Sequence, residues 1–304
     1  MPSNATKLRA LLAGPDMVIA PGAYDGITAR LIDQAGFPAV YMTGAGTAAT
    51  YGYPDYGLLT MSEMAENAER IVRAVGVPVI ADADTGYGNE LNVVRTVREY
   101  ERRGVAALHL EDQGFPKKCG HLDDKEIVPR EDWLAKIRAA ASAREHPDFL
   151  IIARTDARAV IGFEEAIARA NAALEAGADM AFVEAPRTME EVAAVPKLVR
   201  GPCLLNVVWG GKTPELDFAD AQAMGYRLAI VPGLLFKAAM TACDAALAAL
   251  KAEGRHPVPA NRITVREAFA RVGAAEWDAL RTRFRDPAPA RGEGRRVKPA
   301  KAAE

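Results

Sequence analysis

One unit recurs along this chain and limits its fold more than any other feature: a helical stretch, a glycine, then a short apolar run. It occurs as QAGFPAVYM around Gly36, AVGVPVIAD around Gly76, RRGVAALHL around Gly104, EAGADMAFVE around Gly177 and AMGYRLAIVP around Gly225. Glycine suits the left-handed residue just past a helix, and the β-branched run behind it suits a strand buried on both faces. Three further strands fit without that glycine, at residues 17–20, 149–154 and 203–206. Start signals precede the intervening helices, since Thr60-Met-Ser-Glu63 and Thr188-Met-Glu-Glu191 have the capping-box form. Alternating strands and helices make parallel strands, and eight such units in about 250 residues point to a (β/α)8 barrel. An open doubly wound sheet would need a phosphate-binding glycine fingerprint after an early strand. Thr43-Gly44-Ala45-Gly46 only approximates one.

Half of the 304 residues are hydrophobic, enough for a large core. A formal net charge of -2 gives no electrostatic case for nucleic acid or an anionic membrane as partner. No apolar run is long enough to cross a bilayer, and the opening MPSNATKLRA lacks a signal-peptide core, so the expected location is cytoplasmic. Cys119, Cys203 and Cys243 form no CxxC pair, which argues against structural zinc and a disulfide scaffold. Residues 1–285 are expected to form the catalytic barrel with its C-terminal helices. Residues 286–304, with almost no apolar bulk to offset their ordering entropy, are expected to form a disordered tail.

In such barrels the chemistry lies at the C-terminal ends of the strands. Those ends carry Tyr24 and Asp25, Tyr41 with Thr43 and Gly44, Asp82 and Asp84, His109 and Glu111, Arg154 and Asp156, Glu184, and Asn206. Carboxylates heavily outnumber the one arginine, and acids facing one mouth repel unless a cation sits among them. Asp82, Asp84, Glu111 and Glu184 are hard oxygen ligands, suited to Mg2+ or Mn2+ rather than zinc. His109 could join that shell or orient a carboxylate. Arg154, Asn206 and the amides of Thr43, Gly44 and Ala45 are anion-binding parts. Together they describe a pocket for a small polycarboxylate or 2-oxo acid, with a phosphate ester also compatible.

The loop after the fourth strand contains Lys117-Lys118-Cys119-Gly120-His121. A buried structural cysteine prefers apolar neighbours, whereas this one has a cationic, flexible setting of the kind that stabilises a thiolate. Cys203 in a strand and Cys243 in a helix are expected to react slowly by comparison.

The chain carries the motifs PGAYD, YMTGAG, YPDYG, ADADTGYGN, HLEDQGFPKKCGH, ARTDA and VEAP, within a likeness that runs over about residues 5 to 285. With them the chain resembles the isocitrate lyase / phosphoenolpyruvate mutase superfamily, on its 2-methylisocitrate lyase and 2,3-dimethylmalate lyase side. The resemblance implies Mg2+ bound directly by Asp82, with Asp55, Asp84, Glu111 and Glu184 acting largely through water. It implies that Arg154, Gly120, His121, Asn206 and the Thr43, Gly44, Ala45 turn hold substrate carboxylates. Cys119 would be the catalytic acid on a mobile loop, tuned by Lys117 and Lys118, and Tyr41 is a candidate base by its place near the end of the second strand. The implied activity is cleavage of a 2-hydroxy di- or tricarboxylate to a 2-oxo acid and a second carboxylate. Oxaloacetate hydrolysis is the alternative, and carbon–phosphorus chemistry on phosphonopyruvate is a weaker one. Family members exchange the last barrel helix between subunits as dimers of dimers, and residues 234–250 are the candidate helix. Methylisocitrate lyases resemble one another in an Asn-Ile-Thr-Glu stretch after strand seven, where this chain has Asn206-Val207-Val208-Trp209. That departure, and the GGKTP that follows, favour a dicarboxylate such as a substituted malate.

Overall fold

The computed structural model describes residues 2–258 and 262–285. The expected tail at 286–304 lies outside the described residues. The chain divides into two compact units, Met1–Pro257 and Val258–Glu304.

The first unit is a closed barrel of eight parallel strands in sequence order. They are β1 (Val18–Ala23), β2 (Val40–Met42), β3 (Val79–Asp82), β4 (Ala107–Glu111), β5 (Leu150–Thr155), β6 (Met180–Val183), β7 (Cys203–Asn206) and β8 (Leu228–Val231). Closure comes from β8 pairing with β1, Val18 opposite Leu228 and Ala20 opposite Ile230. Each recurrent glycine stands a few residues ahead of its strand. Gly36, Gly104, Gly177 and Gly225 take φ of 83°, 83°, 112° and 110°, the conformation that only glycine adopts freely. Gly76 departs from the expected pattern: the helix Met61–Ala74 ends at an extended Val75, and no left-handed residue follows. The Thr60 capping box forms in full. Thr188 caps its helix, but the Glu191 side chain turns to the Arg187 amide and to Arg158 instead of completing the box.

The barrel interior is filled by Leu8, Val18, Tyr41, Ile80, Ile152, Phe182, Leu204 and Leu228, with the surrounding helices packed on the outer face. Leu8 belongs to the helix Asn4–Ala13, and its burial beside the strand starts plugs the N-terminal mouth. The polar strand ends therefore face the opposite mouth. The helix Leu234–Glu253, which follows β8, has no buried residue and exposes Leu234, Met240, Leu247 and Leu250. Among the described residues no helix is long and apolar enough to cross a membrane.

The second unit contains the helices Val265–Arg271, capped by a Thr264–Glu267 box, and Ala274–Arg285.

Candidate active site

A cavity of about 310 Å3 opens at the C-terminal mouth. Tyr41, Thr43 and Ala45 reach it from the end of β2, Asp82 from β3, Arg154 from β5 and Glu184 from just past β6. Asp55, Cys119, Gly120 and His121 reach it from loops. Gly44, Asp84, His109, Glu111, Lys117 and Asn206 stand behind these, each bonded to a residue of the wall. The residues given a catalytic, substrate-binding or metal role from the sequence thus converge on one mouth. Of the other polar strand ends, Tyr24 lines a different cavity and Asp25 caps the helix Gly26–Gln34 through Thr28.

Asp82 is the most heavily bonded carboxylate of the wall. Its oxygens accept from the amides of Gly44 (3.2 Å) and Asp84 (3.0 Å) and from the Tyr41 hydroxyl (3.3 Å). Burial alone would raise its pKa, but His109, Lys117 and Arg154 hold it well below the usual carboxylate range. The Gly44 amide is therefore committed to Asp82, so within the expected anion-binding turn only Thr43 and Ala45 line the cavity. Tyr41 also lies 2.8 Å from His109 Nε2, and the two rings stack. Burial raises the Tyr41 pKa well above 10 and lowers that of His109 to about 4, so both are neutral at pH 7.

Arg154 spreads its donors over three acids. Nη1 lies 2.9 Å from Glu111 Oε2, Nε donates to Asp156 Oδ2 at 3.0 Å, and Nη2 donates to Asp156 Oδ1 at 3.3 Å. Glu184 Oε1 is 4.0 Å from Nη2. Asn206 Nδ2 donates to both Glu184 oxygens at 3.2 Å. His121 Nδ1 accepts from the Lys212 amide (3.0 Å), which leaves its Nε2 proton facing Glu184 Oε1 at 3.2 Å.

Two expectations are corrected here. Arg154 is not the lone cation, because Lys117, Lys125 and Arg169 are buried beside it on Asp55 and Asp84, on Asp156, and on Asp112. Nor does Lys117 or Lys118 stabilise a Cys119 thiolate. Lys117 is taken up by its two carboxylates, and Lys118 Nζ bonds the Asp124 carbonyl. Burial, reinforced by Asp55, pushes the half-buried Cys119 thiol up to about 11. Cys203 is buried as expected, whereas Cys243 is exposed on its helix, contrary to the slow reactivity expected of it.

Among the described residues, no three His, Cys, Asp or Glu side chains are grouped as a ready cage for a metal ion. Five carboxylates nevertheless flank the mouth, and Glu111 Oε1 is buried with no hydrogen-bond partner. That donor set fits a hard divalent cation held by one or two carboxylates and otherwise by water, the habit of Mg2+. Asp84 and Ala185, each just beyond a strand end, have φ of 46° and 54°, local strain of the kind that gathers at functional sites.

Lys125, Asp112 and Arg169 went unnoticed in the sequence. Lys125 ends an Asp-Asp-Lys run that reads as solvated, and nothing local signals its burial.

Residues 8–251 match the family model described as phosphoenolpyruvate phosphomutase. The 2,3-dimethylmalate lyase of Eubacterium barkeri is 53% identical over 231 residues, 76% of this chain and 80% of that protein. A 2-methylisocitrate lyase of Aeropyrum pernix is 44% identical over 262 residues, 86% and 84% of the two chains. Among solved structures, oxaloacetate acetylhydrolase with the inhibitor 3,3-difluorooxalacetate superposes with TM-score 0.88 at 40% identity, over 93% of this chain and 96% of that one. Phosphonopyruvate hydrolase complexed with oxalate and Mg++ superposes with TM-score 0.85 at 33% identity, over 94% and 100%.

Proposed function

The chain belongs to the phosphoenolpyruvate phosphomutase / isocitrate lyase superfamily, and from that premise we propose that it is a divalent-metal-dependent carbon–carbon lyase acting on a 2-hydroxy di- or tricarboxylate. Substituted malates of the 2,3-dimethylmalate type are the favoured substrates, with 2-methylisocitrate next. The observation that carries this reading is one cavity lined at once by Cys119, Asp82 and Arg154. They are a proton donor, a hard metal ligand and a carboxylate clamp.

Asp82, with Asp55, Asp84, Glu111 and Glu184 around it, would hold Mg2+ or Mn2+, which supplies Lewis-acid polarisation of the 2-hydroxyl and its neighbouring carboxylate. Arg154, His121, Asn206, Gly120 and the turn at Thr43, Gly44 and Ala45 orient the carboxylates. As the hydroxyl proton leaves, the C2–C3 bond breaks and a 2-oxo group forms at C2. The bonding pair stays on C3 as a carboxylate-stabilised carbanion. The Cys119 thiol gives its proton to C3 and regains one from solvent. Tyr41 is the candidate acceptor of the hydroxyl proton. Because burial keeps its phenol protonated, it can take that proton only as it gives up its own.

The rest of the wall supports a methylated substrate. Ala45, Leu122, Val208, Pro232 and Phe236 are apolar. Val208 and Trp209 stand in place of the threonine and glutamate of methylisocitrate lyases, which removes polar partners for a third carboxylate. The exposed apolar side chains of the helix Leu234–Glu253 support its exchange between subunits within a homotetramer, which light scattering at defined concentration would check.

The test is a panel of 2,3-dimethylmalate, 2-methylisocitrate, oxaloacetate and phosphonopyruvate, assayed with Mg2+ and with chelator. Metal-dependent release of a 2-oxo acid from a hydroxy acid supports the lyase, and none from either hydroxy acid sinks it. The structural likeness to oxaloacetate acetylhydrolase favours a second reading, which oxalate and acetate appearing from oxaloacetate would establish.

A further inference from the structure

The loop that carries Cys119 has a narrow neck. Gln113 and Ile127 form an antiparallel bridge, and the Gly114 amide donates to the Glu126 carbonyl at 2.8 Å. Gln113 also braces both sides of Lys118, Nε2 donating to its carbonyl (2.8 Å) and Oε1 accepting from its amide (3.0 Å). Lys125 adjoins that neck, which ties its backbone to the frame.

Its side chain is buried, and Nζ lies 2.5 Å from Asp156 Oδ1. Asp156 is itself held from two sides. Its carboxylate takes two bonds from Arg154, and its amide donates to Asp112 Oδ1 at 2.8 Å. The second partner of Lys125 Nζ is the carbonyl of Gly120, in the loop tip beside Cys119. At that point the tip passes so close to the wall that a methyl group on Gly120 would overlap Glu184 Oε1 and Arg154 Nη2. The Gly120 carbonyl thus meets Lys125 with the tip seated over the cavity.

We propose that Lys125 is a positioning residue: a fixed ammonium at the loop base that captures the Gly120 carbonyl on closure and so sets Cys119 over the substrate. With the tip open, a buried ammonium loses one of its two partners, which favours closure. Asp156 thereby serves both sides of the reaction, holding Arg154 against one end of the substrate and the Cys119 loop over the other. The consequence for turnover rests on the lyase reading; the latch itself does not.

The test uses the full chain and iodoacetamide, with Cys119 and Cys243 followed separately by peptide mass. Loss of one charge-assisted hydrogen bond from the closed state opens the tip about tenfold or more. Lys125→Met, folded by its melting curve, should therefore alkylate at Cys119 about tenfold faster or more than wild type without any ligand. Mg2+ with oxalate should protect it correspondingly less, and kcat on the cleaved hydroxy acid should fall by a similar factor. Should Lys125→Met not fold, Lys125→Gln carries the same comparison, since its amide is too short to serve both Asp156 and Gly120. A folded variant with wild-type alkylation and wild-type oxalate protection overturns the latch. If the wild type cleaves no hydroxy acid, the lyase reading falls while the alkylation comparison still decides the role of Lys125.

Discussion

Lys117 Nζ lies 2.8 Å from Asp84 Oδ1 with both side chains buried, so a loop lysine neutralises an acid from the end of the third strand. Its other partner, Asp55 at 2.6 Å, comes from a different loop. Removing one partner of such a cluster strands the remaining charges in a low-dielectric setting, at about 3–5 kcal/mol. Lys117→Met should therefore lower the melting temperature by about 10 °C and abolish turnover. Differential scanning calorimetry beside the activity assay checks both. A variant that melts like wild type would show that the cluster contributes nothing to the seating of the loop.

Asp82 requires a more careful substitution than alanine. Two backbone amides and the Tyr41 hydroxyl donate to it, so Asp82→Ala leaves buried donors unpaired at about 1–3 kcal/mol each. Asp82→Asn keeps an accepting oxygen while removing the charge that a metal needs. The expected outcome is a near-native melting curve for the asparagine variant, a lowered one for alanine, and no metal-dependent turnover in either. Activity in Asp82→Asn with unchanged Mg2+ dependence would remove Asp82 from the metal site.

Arg154→Lys keeps the charge and loses the geometry. The guanidinium meets Glu111 through Nη1 and Asp156 through Nε and Nη2, whereas one ammonium cannot span both acids at these distances. The loss of two charge-assisted hydrogen bonds corresponds to at least about a hundredfold in kcat/KM. Steady-state kinetics on the preferred substrate checks this, and a mutant within threefold of wild type would make Arg154 merely structural.

The barrel was legible because its repeat is local. A glycine a few residues ahead of five of the eight apolar runs marks where a helix ends and a strand begins, and Cys203–Asn206 coincides with its expected strand even without that glycine. Gly76 shows the limit, since the chain leaves its helix there through an extended valine. The polar rim was legible as well, because charged residues at the ends of otherwise apolar strands have few structural excuses. What the sequence hid was burial imposed from afar. Lys117 and Lys125 sit among charged neighbours that read as solvated, yet the loop folds both onto carboxylates contributed by other loops and strand ends. The same folding encloses Cys119, so its cationic neighbours in sequence do not become its neighbours in space.

The last prediction concerns Cys119. Burial holds its pKa near 11, so at neutral pH it is a thiol, the form that an acid delivering a proton to a carbanion must have. Cys119→Ser replaces that thiol with a far weaker acid of similar size. Binding of Mg2+ and oxalate should survive, while kcat falls by about 10²–10⁴-fold, the usual weight of a general acid. The raised pKa also fixes a pH profile. Only the thiolate is alkylated, and below a pKa near 11 its fraction rises about tenfold for each pH unit. Alkylation of Cys119 in the ligand-free protein should therefore climb log-linearly from pH 7 to pH 10 without a plateau, and inactivation should track it. Cys243 is exposed and must be removed as Cys243→Ser, or resolved by peptide mass, so that its reaction is not counted. A plateau below pH 9 would mean that Cys119 rests as a thiolate, with no proton to give. Full activity in Cys119→Ser would take the proton transfer away from this residue altogether and leave the loop as a cover alone.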